Sequence, residues 1–163
     1  MAELTVLETK LAEVLGLAQA AQGAGTKVSD LVEDASLRSE LERMRDEAAE
    51  TEERCTQLAE GLDGKKTAIL DKARETKQEA TEMMRTYLGS DADGLDGFEF
   101  LTMAEAGEVG HWEVLGVLGE KAGKREVQEL VEWATPIQQR HFETARNGSL
   151  QLAADEDPNE TEG

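Results

Sequence analysis

The chain has 163 residues, enough for one domain with a sizeable core, and its 36 acidic against 17 basic side chains leave a formal charge of −19. That charge repels phosphate backbones and anionic headgroups, so nucleic acid and membrane surfaces are excluded as expected partners; the acid chiefly solvates helix faces, with a metal-concentrating or salt-adapted surface as the other use. Cys55 stands alone, the opening MAELTVLETKLAEVL lacks the basic run of an export signal, and no stretch approaches the roughly 18 apolar residues of a membrane span, which together point to a reducing, cytoplasmic setting.

Proline is rare and Ala, Leu, Glu and Lys are plentiful, a composition that favours helix nearly throughout. Apolar periodicity resolves five segments. The first spans 2–22, with Leu4, Leu7, Leu11, Leu15 and Ala18 on one stripe, and ends at the glycine-containing stretch 23–27. The second spans 35–62, where Leu37, Leu41, Met44, Ala48, Thr51, Cys55, Leu58 and Leu62 alternate at spacings of four and three, with Asp34 or Ser36 as N-cap. A third, 65–88, has a weaker stripe of Ile69, Ala73, Thr76, Ala80, Met83 and Tyr87, so it is placed outside the bundle or crossing between its halves. GSDADGLDG (89–97) contains D-x-D-G, but Thr102 falls where a calcium loop needs its bidentate Glu, and it reads as a turn and N-cap. The fourth and fifth helices, 97–122 and 124–147, are joined only around Gly123 and are expected to be antiparallel neighbours. Residues 1–147 thus form the bundle, and 148–163 an acidic, flexible tail.

The fourth helix carries the sharpest signal. At about 100° per residue, Leu101, Ala104, Trp112, Leu115 and Ala122 all fall within about 40° of Glu108, so a carboxylate stands at the centre of an apolar stripe. Glu105 and His111 lie to either side on the inward face. A buried carboxylate must be protonated, hydrogen-bonded or metal-bound, since leaving it bare costs several kcal/mol. On the fifth helix Val127, Val131, Ala134, Phe142 and Ala145 form the stripe, with Gln138 at its centre and His141 on its inward edge. Gly123 is 15 residues from both Glu108 and Gln138 and 18 from both Glu105 and His141, so each pair is expected to share a level.

E-A-G-E (105–108), E-V-G-H (108–111) and Q-Q-R-H (138–141) resemble the carboxylate and E-x-x-H pairs of the ferritin-like superfamily, and the interposed third helix is similar to its bacterial stress-associated, rubrerythrin-type families. The resemblance implies an antiparallel four-helix bundle, an additional helix between the two helical pairs, and an iron or manganese centre, with oxygen or peroxide chemistry and an oxidative-stress role. Glu8, Glu52, Glu105, Glu108 and His141 would be its ligands, supported by His111 and Gln138. The pattern departs from the family in the first helical pair. Ala48 and Thr51 hold the inward register of the second helix, Glu50 and Glu53 point away, and Glu40, Glu47 and Glu52 lie along the stripe's edges. Gln138 is a neutral amide where the family has glutamate, a poorer ligand for hard cations. A dinuclear centre, a single metal, and a metal-free hydrogen-bonded relic in a helical scaffold or stress protein therefore all stay open.

No nucleophile–base pair or phosphate loop supports a hydrolase. Cys55 reads as a small buried hydrophobe and Met83 and Met84 as gap fillers. Trp133 falls off its helix's stripe near Leu130 and Ile137 and suggests either a homodimer contact or packing on the third helix. Gly107, Gly110, Gly116 and Gly119 each cost the fourth helix around 1 kcal/mol relative to Ala, a cost that close approach of another helix would offset. Pro136 is expected to kink the fifth.

Overall fold

The computed structural model describes residues 2–162, so Met1 and Gly163, the outermost residues of the two expected segments, lie outside the described residues. Among the described residues there are five helices and no strand: α1 (Val6–Ser29), α2 (Ala35–Glu60), α3 (Lys66–Tyr87), α4 (Gly94–Ala122) and α5 (Arg125–Ala154). Among the described residues no helix is long and apolar enough to cross a membrane.

The helix starts follow cap chemistry. Thr5 and Glu8 form a reciprocal capping box at α1, which opens at Val6 instead of residue 2. Asp34 caps α2 through the Leu37 amide, and Asp93 and Asp96 repeat the box at α4, so 89–93 is the turn and cap while the helix already starts at Gly94 instead of residue 97. Each such cap stabilises a helix end by about 1 kcal/mol. Gly123 closes α4 with φ 63°, the left-handed conformation that glycine adopts without a Cβ penalty.

Two helices run past their expected ends. Helix α1 continues through Gly23 and Gly25 to Ser29, because Gly25 is buried where a Cβ would meet Arg45 Cγ at 2.7 Å; the glycine admits α2 and does not break the chain. Helix α5 likewise runs unbroken through Pro136 and past residue 147 to Ala154. Gly148 lies against the Phe98 ring and Leu152 packs on the core behind it, while Leu150, Gln151 and every described residue beyond Leu152 are exposed.

The helices bury their stripes in two apolar clusters. One gathers Leu11, Leu15, Cys55, Ile69, Trp112, Leu115 and Val127; the other gathers Val28, Leu41, Phe98, Leu101 and Ala145. Burying a side chain of this size contributes about 1.5–3 kcal/mol, more than any cap, so the paired stripes decide which faces turn inward. Along α4 the second cluster ends near Ala104 and the first begins at Trp112; along α5 the first ends at Ala134 and the second resumes at Ala145. The interval between them is polar.

Neighbouring helices are tied at named points. Gln128 meets the Gly119 carbonyl, Gln138 meets Glu105, and Ser149 meets Thr102, joining α4 to α5. Gln22 meets Glu52 and Thr26 meets Arg45, joining α1 to α2. Helix α1 also touches α3 and α4, and α2 touches α5. Helix α3 buries side chains fully only in its first half. Ala68, Ile69 and Ala73 are buried, Thr76 and Ala80 are half-buried, and Met83 and Tyr87 are exposed. Met83 is therefore no gap filler, whereas Met84 packs on the second cluster.

Candidate functional site

The polar interval is a layer across the middle of the core. Glu105 and Glu108, one turn apart on α4, are 2% and 7% exposed, and Gln138 and His141, one turn apart on α5, are 6% and 4% exposed. Helix α2 adds Thr51, whose hydroxyl donates to the carbonyl of Glu47 at 3.0 Å, and Glu47 itself, which reaches in from the edge of its stripe. Glu47 Oε1 is 3.1 Å from His141 Nε2, and its Oε2 accepts from Arg140 Nη2 at 2.8 Å. Gln138 donates through Nε2 to the Glu105 carboxyl. His141 Nδ1 stands 4.0 Å from Glu105 Oε2.

Of the two expected level pairs, Glu105 and His141 do come within 4.0 Å. Gly119 against Val127 and Gly148 against Phe98 keep the register counted from Gly123, but Gln138 joins Glu105 and not Glu108. A long side chain at each end spans the 5.4 Å rise of a turn, and the count specifies backbone levels only. Glu108 is left with no hydrogen bond or ion pair to any described residue; its carboxyl is shaped by burial and by the charge of Glu105.

The electrostatics follow from burial. Desolvation pushes the Glu105 carboxyl up to about 7, with the Gln138 hydrogen bond opposing the rise. Burial, reinforced by the charge of Glu105, raises Glu108 well above the usual carboxylate range, which favours its protonated form. Burial lowers His141, and Glu47 opposes that shift through its hydrogen bond and charge. A neutral His141 donates Nε2–H to Glu47, which leaves the Nδ1 lone pair facing Glu105.

Of the seven side chains expected to hold a metal, four meet in this layer: Glu105, Glu108, Gln138 and His141. The other three are held elsewhere. Glu8 is engaged in its capping box and by Lys65 Nζ at 3.3 Å; burial raises its carboxyl, but Thr5 and Lys65 outweigh that and hold it below its ordinary value. Glu52 accepts from Gln22 Nε2 at 2.8 Å. His111 is half-exposed, with Nδ1 2.8 Å from the Gly107 carbonyl of its own helix and Nε2 3.8 Å from Glu13. Glu47 and Arg140 are the members that sequence reasoning leaves out of the site. The available signal was Glu47 at the edge of the α2 stripe, with Arg140 beside His141 in the chain.

A dinuclear centre of the ferritin-like kind draws carboxylates from four helices. Here α1 contributes none to the layer, α2 contributes a Glu47 already paired with Arg140 and His141, and Gln138 occupies a carboxylate position on α5. Among the described residues no group of three His, Cys, Asp or Glu side chains could hold a metal ion. The residues present do not fit an iron or manganese centre in this arrangement.

Two outlying candidates also resolve. Cys55 is fully buried, and burial together with the charge of Glu52 pushes its thiol up to about 12, the opposite of a reactive thiolate. Trp133 packs partly buried on the first apolar cluster under the Arg54 guanidinium, 4.1 Å from the ring centroid. Comparison with protein-family models, curated proteins and solved structures finds no match to this chain.

Proposed function

We propose that this chain is a ferritin-like antiparallel bundle with an outer helix, in which a hydrogen-bonded carboxyl–amide–imidazole layer takes the place of a metal centre, and that it acts as a non-enzymatic helical scaffold. The helix order supports the architecture: α1, α2, α5 and α4 each touch the next, and α3 lies on α1. The ties from Gly119–Gln128 to Thr102–Ser149, and from Gln22–Glu52 to Thr26–Arg45, step in opposite senses along the paired helices. The observation that carries the reading is that the strongest donors satisfy one another: His141 is bound to Glu47, and Glu105 to Gln138. A cytoplasmic, stress-associated role is the corresponding biological setting, and a charge of −19 speaks against nucleic acid and anionic membranes as partners.

The metal-binding reading has one observation in its favour: His141 Nδ1 stands 4.0 Å from Glu105 Oε2, with Glu108 one turn along α4. Thermal melts of wild type with chelator and with added Fe²⁺ or Mn²⁺ decide between them. A metal that binds only the folded chain raises the melting temperature by mass action. Unchanged melts support the scaffold, and a metal-dependent rise that Glu108→Leu abolishes overturns it.

A further inference from the structure

The outer wall of the polar layer is a groove. Helix α3 meets α1 at Gly16, where the backbone of Ala73 leaves no room for a side chain, and meets α4 again where Tyr87 and Phe100 lie 5.6 Å apart. Between those ties α3 lifts away, leaving about 470 Å³ bounded by α1, α3 and α4. Its walls are chiefly apolar, among them Leu17, Ala20, Ala80, Met84, Leu101 and Ala104, and Glu105 and Glu108 line it from α4.

Glu108 makes this groove a site. It is 93% buried, yet no side chain or backbone group of the described residues bonds to it, and its carboxyl borders the groove. Among the described residues the fully buried side-chain polar atom without a partner is Thr135 Oγ1, so the Glu108 oxygens keep their small exposure at the groove, where a ligand can reach them. The groove's cations are already engaged: Lys10 pairs with Glu13 at 3.0 Å and Lys72 with Glu75 at 3.7 Å. What Glu108 lacks is a partner, and a cationic group set at the end of an apolar body would supply one.

We propose that the α1–α3–α4 groove binds a lipophilic amine, with the ammonium group on Glu108 beside Glu105 and the hydrocarbon between Leu17, Ala80 and Leu101. Charge complementarity selects the cation: an ammonium beside Glu108 and Glu105 favours their carboxylate forms, the acid proton leaving to solvent as it binds, whereas an anionic head would meet two adjacent carboxyls in a chain of −19. The volume exceeds that of an eight-carbon chain. This goes beyond the metal-free reading and stands on the groove.

Isothermal titration in chelator, with octylammonium, octanol and octanoate as probes, tests it. Octylammonium should bind at one site, at least tenfold tighter than octanol, and octanoate should not bind. Glu108→Gln should weaken octylammonium at least tenfold and leave octanol unchanged, while Ala80→Phe, which fills the wall without touching the carboxyls, should abolish both. Circular dichroism of each variant keeps loss of fold apart from loss of binding. No heat with octylammonium, or binding indifferent to Glu108→Gln in a folded variant, overturns the proposal. Stabilisation by Mn²⁺ alone would instead sink the metal-free reading and leave the chelated titration valid.

Discussion

Glu105 and Glu108 stand one turn apart on the same face of α4, yet Gln138 bonds only to Glu105, and Glu108 turns an unpartnered carboxyl to the groove. Two chemically identical side chains thereby acquire different roles. One belongs to a closed network with Gln138, and the other is left to whatever enters from outside.

Glu108→Leu should stabilise the metal-free protein. A buried leucine contributes about 1.5–3 kcal/mol, and the substitution breaks no hydrogen bond to the described residues. At roughly 2–4 °C per kcal/mol for a chain of this length, the melt should rise by several degrees in chelator. A lower melting temperature would show that the carboxyl has a stabilising partner.

Glu47→Ala should destabilise the fold although the side chain is only half-buried. It strips the acceptor from His141 Nε2, 4% exposed, and a buried donor without a partner costs about 1–3 kcal/mol. Glu47→Gln keeps an acceptor oxygen and should cost less. Urea denaturation ranks the three proteins; equal midpoints for Ala and Gln would mean that the His141 contact contributes nothing.

These two residues also mark what the sequence could reveal. Glu108 was legible because its neighbours Leu101, Ala104, Trp112 and Leu115 place it at the centre of an apolar stripe, and the periodicity of one helix suffices to see that. Glu47 was not, because it lies at the edge of its own stripe, and only the arrival of His141 and Arg140 from α5 decides that it turns inward. Glu8 could have been assigned correctly: Thr5-Val6-Leu7-Glu8 is a capping-box pattern that claims the glutamate for the helix start. Gly25 and Gly148 mislead for the opposite reason. Glycine marks both helix breaks and close helix contacts, and only the tertiary neighbour, Arg45 or Phe98, tells them apart.

Ionisation of Glu105 should weaken the protein as pH rises. Its folded value of about 7 lies above the ordinary 4.5, so its contribution is fully present below about pH 4.5 and is lost as pH rises through 7. The size is on the order of 3 kcal/mol. Because His141 shifts in the opposite sense and is lost toward acid, the informative quantity is the stability difference between wild type and Glu105→Gln. That difference should move against wild type between pH 4.5 and 7 and then level off. A flat difference across this window would show that Glu105 keeps its ordinary ionisation in the fold.

The glycines of α1 and α4 should respond to alanine with opposite signs. At Gly16 an added Cβ would lie 2.4 Å from the Ala73 carbonyl oxygen and 2.8 Å from Thr76 Cβ. Both belong to the backbone or to its first side-chain atom, so neither can swing aside, and α3 must move off α1. Overpacking of this kind costs about 1–3 kcal/mol. Gly107 and Gly110, by contrast, face open space with nothing within 4 Å, so the helix approach that would offset their cost is made only at Gly116, where Val131 is 3.1 Å away, and at Gly119, where Val127 is 2.9 Å away. Replacing either open glycine by alanine restricts the unfolded chain without a clash and should add about 0.5–1 kcal/mol of stability. Melts of Gly16→Ala, Gly107→Ala and Gly110→Ala measure the signs directly, and limited proteolysis locates the damage: cleavage in Gly16→Ala should fall first within 66–87, the helix displaced. Gly16→Ala melting at or above wild type would mean that α3 does not press on α1 at Ala73, and the groove beyond that contact would lose one of its two anchors.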